Sequence, residues 1–369
     1  MTDQRAAATD LAARPPIPQV MRAAVLFAPR DIRVVDRPVP WPGPDEVLVK
    51  VAMCGMCGTD LKIFDGHFPL TPPFGDYTPG HEWTGTVAAL GSRVDEFAVG
   101  DRVCIEAHSG CGRCDNCLAG KYTACLNYGN RAKGHRATGM TTDGGFAEYA
   151  VHDAGSLYAL PPSLSFEDGV LITTAGTSLY GLDVAGGYIA GLDVVVFGPG
   201  PVGLMTVQAC QALGAGQVIL VGTRSSRLEL GRRLGADHVI NARETDPVPA
   251  ILGLTGGAGA DVAVECSGAR QAPQQCAEVT KRAGKIIIVA FYPGPVTLDL
   301  SAIVRSDISI HTSRGEGGNN VKRAVALAAR GRLRGAELVT HHFPLEEIDT
   351  ALRVVQERDG DPVKVVVEP

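Results

Sequence analysis

Between Met21 and about Leu160 the apolar positions fall in short β-branched runs, among them Glu46-Val47-Leu48-Val49-Lys50-Val51, broken by Gly and Pro and with little helical period. This half predicts a β-rich domain. Near Phe166 the pattern changes, and helical stretches alternate with short apolar runs at Val194 to Phe197, Val218 to Val221, Asp261 to Glu265 and Lys285 to Ala290. Strand alternating with helix predicts a parallel sheet and places the chain in the α/β class. After His311 the pattern gives a helix around Val321 to Arg330, another around Leu345 to Glu357, and a closing strand, Val363 to Val367.

A chain of 369 residues exceeds the size at which a single core stops growing, so two domains are expected. No apolar run approaches the roughly 18 residues of a membrane span. The net charge of −6 and the lack of any long Lys/Arg run argue against nucleic acid or an anionic membrane as partner and favour a small molecule. Residues 1 to 20, rich in Ala, Arg and Pro, lack the apolar stretch of a secretory signal; they read as a flexible extension, and the cytoplasm is the expected compartment. Ten cysteines in a reducing compartment point to metal or chemistry rather than disulfides.

The run Val194 to Phe197 leads directly into Gly198-Pro199-Gly200-Pro201-Val202-Gly203 and then a helical stretch. Gly198 permits a tight turn, Gly200 lets the backbone approach a pyrophosphate, and Gly203 allows close packing of helix on strand. The helix start then offers unpaired N–H groups and a positive dipole end, and Pro201 suits a position whose N–H would be unpaired anyway. About twenty residues on, a NAD site would place an acid at the end of the next strand. Here stand Gly222-Thr223-Arg224-Ser225. Two hydroxyls and a guanidinium suit a 2′-phosphate, so NADP(H) is expected over NAD(H), with a solvated Arg224 and an acid supplied from elsewhere as the alternative.

Cys111, Cys114, Cys117 and Cys125 form C-x2-C-x2-C-x7-C in a loop rich in Gly and polar residues. Four thiols at this spacing suit a closed tetrahedral Zn2+ site, and an iron-sulfur cluster fits the same ligands. A second group is scattered: Cys57-Gly58-Thr59-Asp60 and Gly80-His81-Glu82, with Cys54 as a competing thiol.

Taken in order, Cys57 to Asp60, Gly80 to Glu82, the four-cysteine loop, Gly144-Gly145-Phe146-Ala147-Glu148-Tyr149 and the glycine turn resemble the zinc-containing medium-chain alcohol dehydrogenases, nearest the sorbitol and threonine dehydrogenase branch. The resemblance runs from about Met21 to the C-terminus. It implies a GroES-like catalytic domain at 21–168 and 310–369 wrapped around a Rossmann domain at 169–309, a homodimer or homotetramer, and two zinc ions. The structural ion would sit on Cys111, Cys114, Cys117 and Cys125, the catalytic one on Cys57, His81 and Glu82. Thr223-Arg224 is also similar to the segment that NADP-dependent secondary alcohol dehydrogenases carry there. Two departures stand out: Thr174 occupies the place of a fourth catalytic-zinc ligand, and Lys62 that of a relay histidine.

Hydride leaves a carbinol carbon readily only once the hydroxyl is ionised, and zinc can lower the pKa of a bound water from about 15.7 to about 7, on the order of 12 kcal/mol. Cys57 thiolate and Glu82 carboxylate would balance the ion's charge. Thr59 would carry the alcohol's proton outward, Asp60 would orient His81, and Arg305 falls where the polyol branch has a substrate-side arginine. The expected activity is therefore a zinc-dependent alcohol or polyol dehydrogenase, set against a non-catalytic nicotinamide-binding sensor whose metals only hold the fold.

Overall fold

The computed structural model describes residues 17–369, so the first sixteen residues of the expected extension lie outside the described residues, and Val20 already opens a strand. Among the described residues no helix is long and apolar enough to cross a membrane.

The second half builds a six-stranded parallel sheet in the spatial order His238–Asn241, Gln217–Gly222, Asp193–Phe197, Ala260–Glu265, Thr280–Ile288, Ser309–Thr312. Numbered along the chain this is 3-2-1-4-5-6, the doubly wound arrangement in which ligands bind beyond the carboxyl ends of the strands where the order reverses. That reversal lies between Asp193–Phe197 and Ala260–Glu265. The unbroken apolar run works because both faces are covered: Val194 and Val196 enter one core cluster, Val195 and Phe197 the opposite one.

The first half supplies five strands of a seven-stranded sheet in which Glu46–Met56 pairs with Glu82–Leu90 and Tyr149–Asp153. The C-terminal strand Lys364–Glu368 lies antiparallel to Glu46–Met56 and parallel to Val339–Pro344, so the tail returns to the first domain's sheet. The helix Ile348–Glu357 covers this sheet, burying Ile348, Ala351, Leu352 and Val354 at helical spacing.

The structure moves one expected boundary. Ser309–Thr312 is hydrogen-bonded along Thr280–Ile288 as the last strand of the parallel sheet, and the next helix, Asn320–Ala328, packs against Ile172–Val184 in the same core. The second domain therefore runs well past 309; a short, half-polar edge strand carries too weak an apolar signal to show this.

Candidate active site

The strand Glu46–Met56 ends one residue before Cys57, which caps the helix Gly58–Phe64. Asp60 uses both carboxylate oxygens locally: Oδ2 accepts the Cys57 N–H at 2.8 Å, and Oδ1 faces His81 Nδ1 at 3.2 Å. One buried side chain thus fixes the turn that presents Cys57 and orients the imidazole of His81. Gly80 has φ +100°, and an added Cβ would lie 2.8 Å from Cys54 Sγ and 2.9 Å from Phe146 N. The Gly144-Gly145-Phe146 segment braces this turn, with Gly145 N donating to Gly80 O at 2.9 Å and Phe146 N to Pro79 O at 3.1 Å.

The ligand atoms of Cys57, His81 and Glu82 all lie within 4.8 Å of one another, and Cys54 is not among them. Cys54 is fully buried, and burial pushes its thiol well above the usual range, as suits a packing residue. Burial alone would lower the His81 pKa, but the Asp60 carboxylate and Cys57 outweigh it and hold it well above the usual histidine range. An imidazole, a thiol and a carboxylate within reach of one point make a donor set suited to zinc.

Glu82 is held from two sides: Thr174 Oγ1 donates to Oε1 at 3.2 Å, and the Lys364 ammonium meets Oε2 while also donating to Met56 O at 3.3 Å. Lys364 is 2% exposed. It was not anticipated, and it changes the charge count: one thiolate and one carboxylate share their neighbourhood with a buried cation, so the donor set is more positive by one than the two anions alone suggest.

The four-cysteine loop is compact, with Cys111 and Cys117 sulfurs 3.9 Å apart and those of Cys114 and Cys125 likewise 3.9 Å. A tetrahedron with Zn–S of about 2.3 Å has edges of about 3.8 Å. All four sulfurs fall within 4.8 Å, which suits one ion; thiolates around a cluster must stand outside several iron and sulfide atoms. The Arg113 N–H and the Asn127 amide hold the Cys111 thiol down to about 6, and the Cys117 N–H lowers that of Cys114, whereas burial pushes Cys117 up to about 12. Asn127 Nδ2 reaches Cys111 Sγ at 3.2 Å, and Leu126 N reaches Cys114 Sγ at 3.4 Å.

At the switch point, Gly198 has φ +101° and lies against Ser267, and an added Cβ on Gly203 would fall 1.9 Å from Gly198 O. A Cβ on Gly200 would meet nothing within 4 Å, so open space lies at the N-cap of the helix Pro201–Ala212, where a pyrophosphate would rest. Glu265, another residue the sequence reading passed over, closes the facing loop by accepting from Ser267 N at 2.7 Å, Gly268 N at 3.2 Å and the Tyr292 hydroxyl. Its sign in the sequence is an acid at the end of an apolar run.

Ser178, one turn after Thr174, shares its one hydroxyl proton between Thr174 O at 3.2 Å and Val202 O at 3.1 Å. The helix Ile172–Val184 therefore joins the Glu82 carboxylate to the first turn of the coenzyme helix. Gly222, Thr223, Arg224 and Ser225 lie beside the glycine turn, with Gly198 N donating to Val221 O at 2.8 Å. Thr59 is partly exposed on its helix, and the Lys62 ammonium sits 5.1 Å from the centroid of Phe291 in the other domain. Arg305 does not join these groups. It is exposed, and its carbonyl accepts from Arg282 at 2.9 Å near the beginning of Thr280–Ile288, the end opposite the switch point. Arg314 lies at the domain interface, stacked 4.3 Å over Tyr128 and donating to Thr123 O at 2.6 Å.

Two family models match the chain: the alcohol dehydrogenase GroES-like domain over residues 43–162 and zinc-binding dehydrogenase over residues 201–330. The sorbitol dehydrogenase of Bacillus subtilis (strain 168) is 34% identical over 358 residues, covering 96% of this chain and 98% of its own length. The L-threonine 3-dehydrogenase of Pyrococcus horikoshii is 37% identical over 275 residues, 73% of this chain and 76% of that protein. A crystal structure described as a zinc-binding dehydrogenase from Sinorhizobium meliloti 1021 bound to NADP is similar with TM-score 0.87 and 32% identity, covering 95% of this chain and all of that one. The chain belongs to the zinc-containing medium-chain alcohol dehydrogenase family, oxidoreductases that act on alcohols.

Proposed function

We propose that this chain oxidises a secondary alcohol or polyol with NADP+, using a zinc ion held by Cys57, His81 and Glu82. The observation that carries the reading is the hydrogen-bonded route from Glu82 through Thr174 and Ser178 to Val202, which ties the ligand cluster to the coenzyme helix. A metal kept only for the fold gains nothing from that connection, so the route favours an enzyme over a sensor. Bound there, zinc supplies the Lewis acid that makes an alcohol proton easy to lose. Thr59, partly exposed, accepts that proton at its hydroxyl oxygen while releasing its own to solvent water, Asp60 keeps the His81 ring in one orientation, and Lys364 holds Glu82 in a defined rotamer. A second ion on Cys111, Cys114, Cys117 and Cys125 holds the loop. The sorbitol and threonine dehydrogenase relatives favour a substrate with neighbouring polar groups.

The test is a panel of secondary alcohols, sugar alcohols, aldoses and hydroxy amino acids with each coenzyme at fixed low ionic strength, read at the reduced-nicotinamide absorbance. A charge-assisted contact to Arg224 is worth about 1.5 to 3 kcal/mol, so NADP+ should lead by roughly ten- to a hundredfold in kcat/KM. A preference for NAD+ refutes that part of the reading. The natural reversal, Gly222→Asp, needs a companion: a Cβ at 222 would lie 2.5 Å from Pro199 Cγ, so Pro199→Ala must accompany it. NAD(H) use is favoured by one observation, that Arg224 is already paired within the protein.

A homodimer or homotetramer is supported by the exposed edge strand Ser309–Thr312 and, beside it, Leu300 and Val304, 62% and 78% exposed. Val304→Asp should lower the mass measured by light scattering if that face is the interface.

A further inference from the structure

The loop after Gln217–Gly222 is closed from the other domain. Asp361, in the turn between Ile348–Glu357 and Lys364–Glu368, has φ +54°, and its carboxylate accepts from Arg224 Nη1, from Ser226 Oγ and, at 3.1 Å, from Arg227 Nε. Arg227 also donates to Pro362 O at 2.5 Å. The three charged side chains are only 22%, 16% and 34% exposed for Arg224, Arg227 and Asp361.

Two guanidinium groups here face one carboxylate, which leaves a net positive charge in a partly buried corner beside the glycine turn. Burial and the neighbouring Arg224 both hold Arg227 below the usual arginine range, a sign that the two cations crowd each other. Burial raises the Asp361 pKa, but Ser226 and Arg224 outweigh it and keep the carboxyl ionised, below the usual range. Its hydrogen-bonding sites are largely taken by three donors, so it is poorly placed to accept from a ribose diol as well.

We propose that Asp361 is a coenzyme-selecting residue: its carboxylate and the ribose 2′-phosphate compete for Arg224, so the catalytic domain itself limits the affinity for NADP(H). The proposal rests on the reading that residues 222–225 meet the adenosine ribose. Arg227 keeps its second tie to Pro362 whichever anion Arg224 holds, so the segment stays in place while the charge balance changes. A phosphate with nearly two negative charges meets repulsion from Asp361 that a free diol does not.

The experiment measures dissociation constants of NADPH and NADH by calorimetry on the zinc-loaded full chain at low ionic strength, where an exposed phosphate contact is least screened. Asp361→Asn keeps the shape and the Ser226 contact and removes the charge. The ratio of NADH to NADPH dissociation constants should rise about tenfold, while Asp361→Glu, which keeps the charge, stays within about twofold. In an Arg224→Ala background, Asp361→Asn should move the ratio by less than about threefold, because the contested group is gone. An unchanged or lower ratio in Asp361→Asn overturns the proposal, as does an equal rise in Asp361→Glu. A wild type that binds NADH more tightly, yet shifts toward NADPH in Asp361→Asn, upholds the role of Asp361 and refutes only the NADP preference.

Discussion

Four cysteines between residues 111 and 125 come together because a short glycine-rich loop cannot keep them far apart, whereas Cys57, His81 and Glu82 meet only after a strand, a helix and a long loop have packed. The first set is partly exposed, sits at the surface and uses four sulfurs, which fill a tetrahedron. The second mixes sulfur, nitrogen and oxygen, lies mostly buried, and has a threonine on one oxygen of its carboxylate and a lysine on the other. A closed local site can hold a fold together; a mixed site with three protein ligands leaves a fourth position for a substrate atom. The contrast predicts opposite results when each is disturbed.

The largest effect should follow Cys57→Ser. Losing the ion that polarises the alcohol should lower kcat/KM by at least about a thousandfold, while coenzyme titration and circular dichroism stay close to wild type. Wild-type turnover in Cys57→Ser, with loss in Cys54→Ser, would mean the wrong thiol has been named.

Next comes the counter-ion. Lys364→Met leaves the Glu82 carboxylate buried beside an apolar side chain, and breaking a buried pair costs about 3 to 5 kcal/mol. The loss should be near that size in metal-free protein and clearly smaller with zinc, which can take over the carboxylate. Urea unfolding with and without metal compares the two; equal losses would show that Glu82 does not turn toward the ion.

A smaller effect on chemistry is expected for Cys114→Ser. Zinc should fall from about two per chain to about one by elemental analysis, the melting temperature should drop, and turnover per folded molecule should stay within about threefold. Visible iron-sulfur absorbance in the wild type would sink the assignment.

The smallest effect concerns how the four-cysteine loop is docked. Tyr122, between Cys117 and Cys125, bonds Glu106, which also accepts from Tyr158 at 3.0 Å; burial, with Glu316 nearby, raises the Glu106 carboxyl from 4.5 to about 8. A group whose folded pKa is raised contributes stability that is full below its unfolded value and lost as pH rises through about 8. His135 acts oppositely, since burial lowers it from 6.5 to about 4, so its contribution is lost only as pH falls below 6.5. Between pH 6.5 and 8 the wild type should lose on the order of 1 kcal/mol, and Glu106→Gln should flatten that slope in thermal unfolding. An unchanged slope would place the titrating group elsewhere.

The glycine turn was legible because its causes are local: strand, φ > 0 at Gly198, close packing at Gly203. The four-cysteine loop was legible for the same reason. Asp60 was half legible, since its bond to Cys57 N spans three residues while its contact with His81 spans twenty-one. Arg305 misled because position along the chain does not reveal which end of a parallel strand a helix packs against.

From the sequence alone came the class of the fold, the coenzyme turn and the four-sulfur loop, each written in the local pattern of residues along the chain, and the family, through the resemblance of motifs spread from Cys57 to Gly203. Only the tertiary structure decided that Lys364 pairs with Glu82 across 282 positions and that Asp361 reaches Arg224 across 137. Both partners ride on the tail that returns to the first domain's sheet. A buried charge must find its counter-charge wherever the packing of the whole chain puts it, and spacing along the sequence carries no record of that meeting.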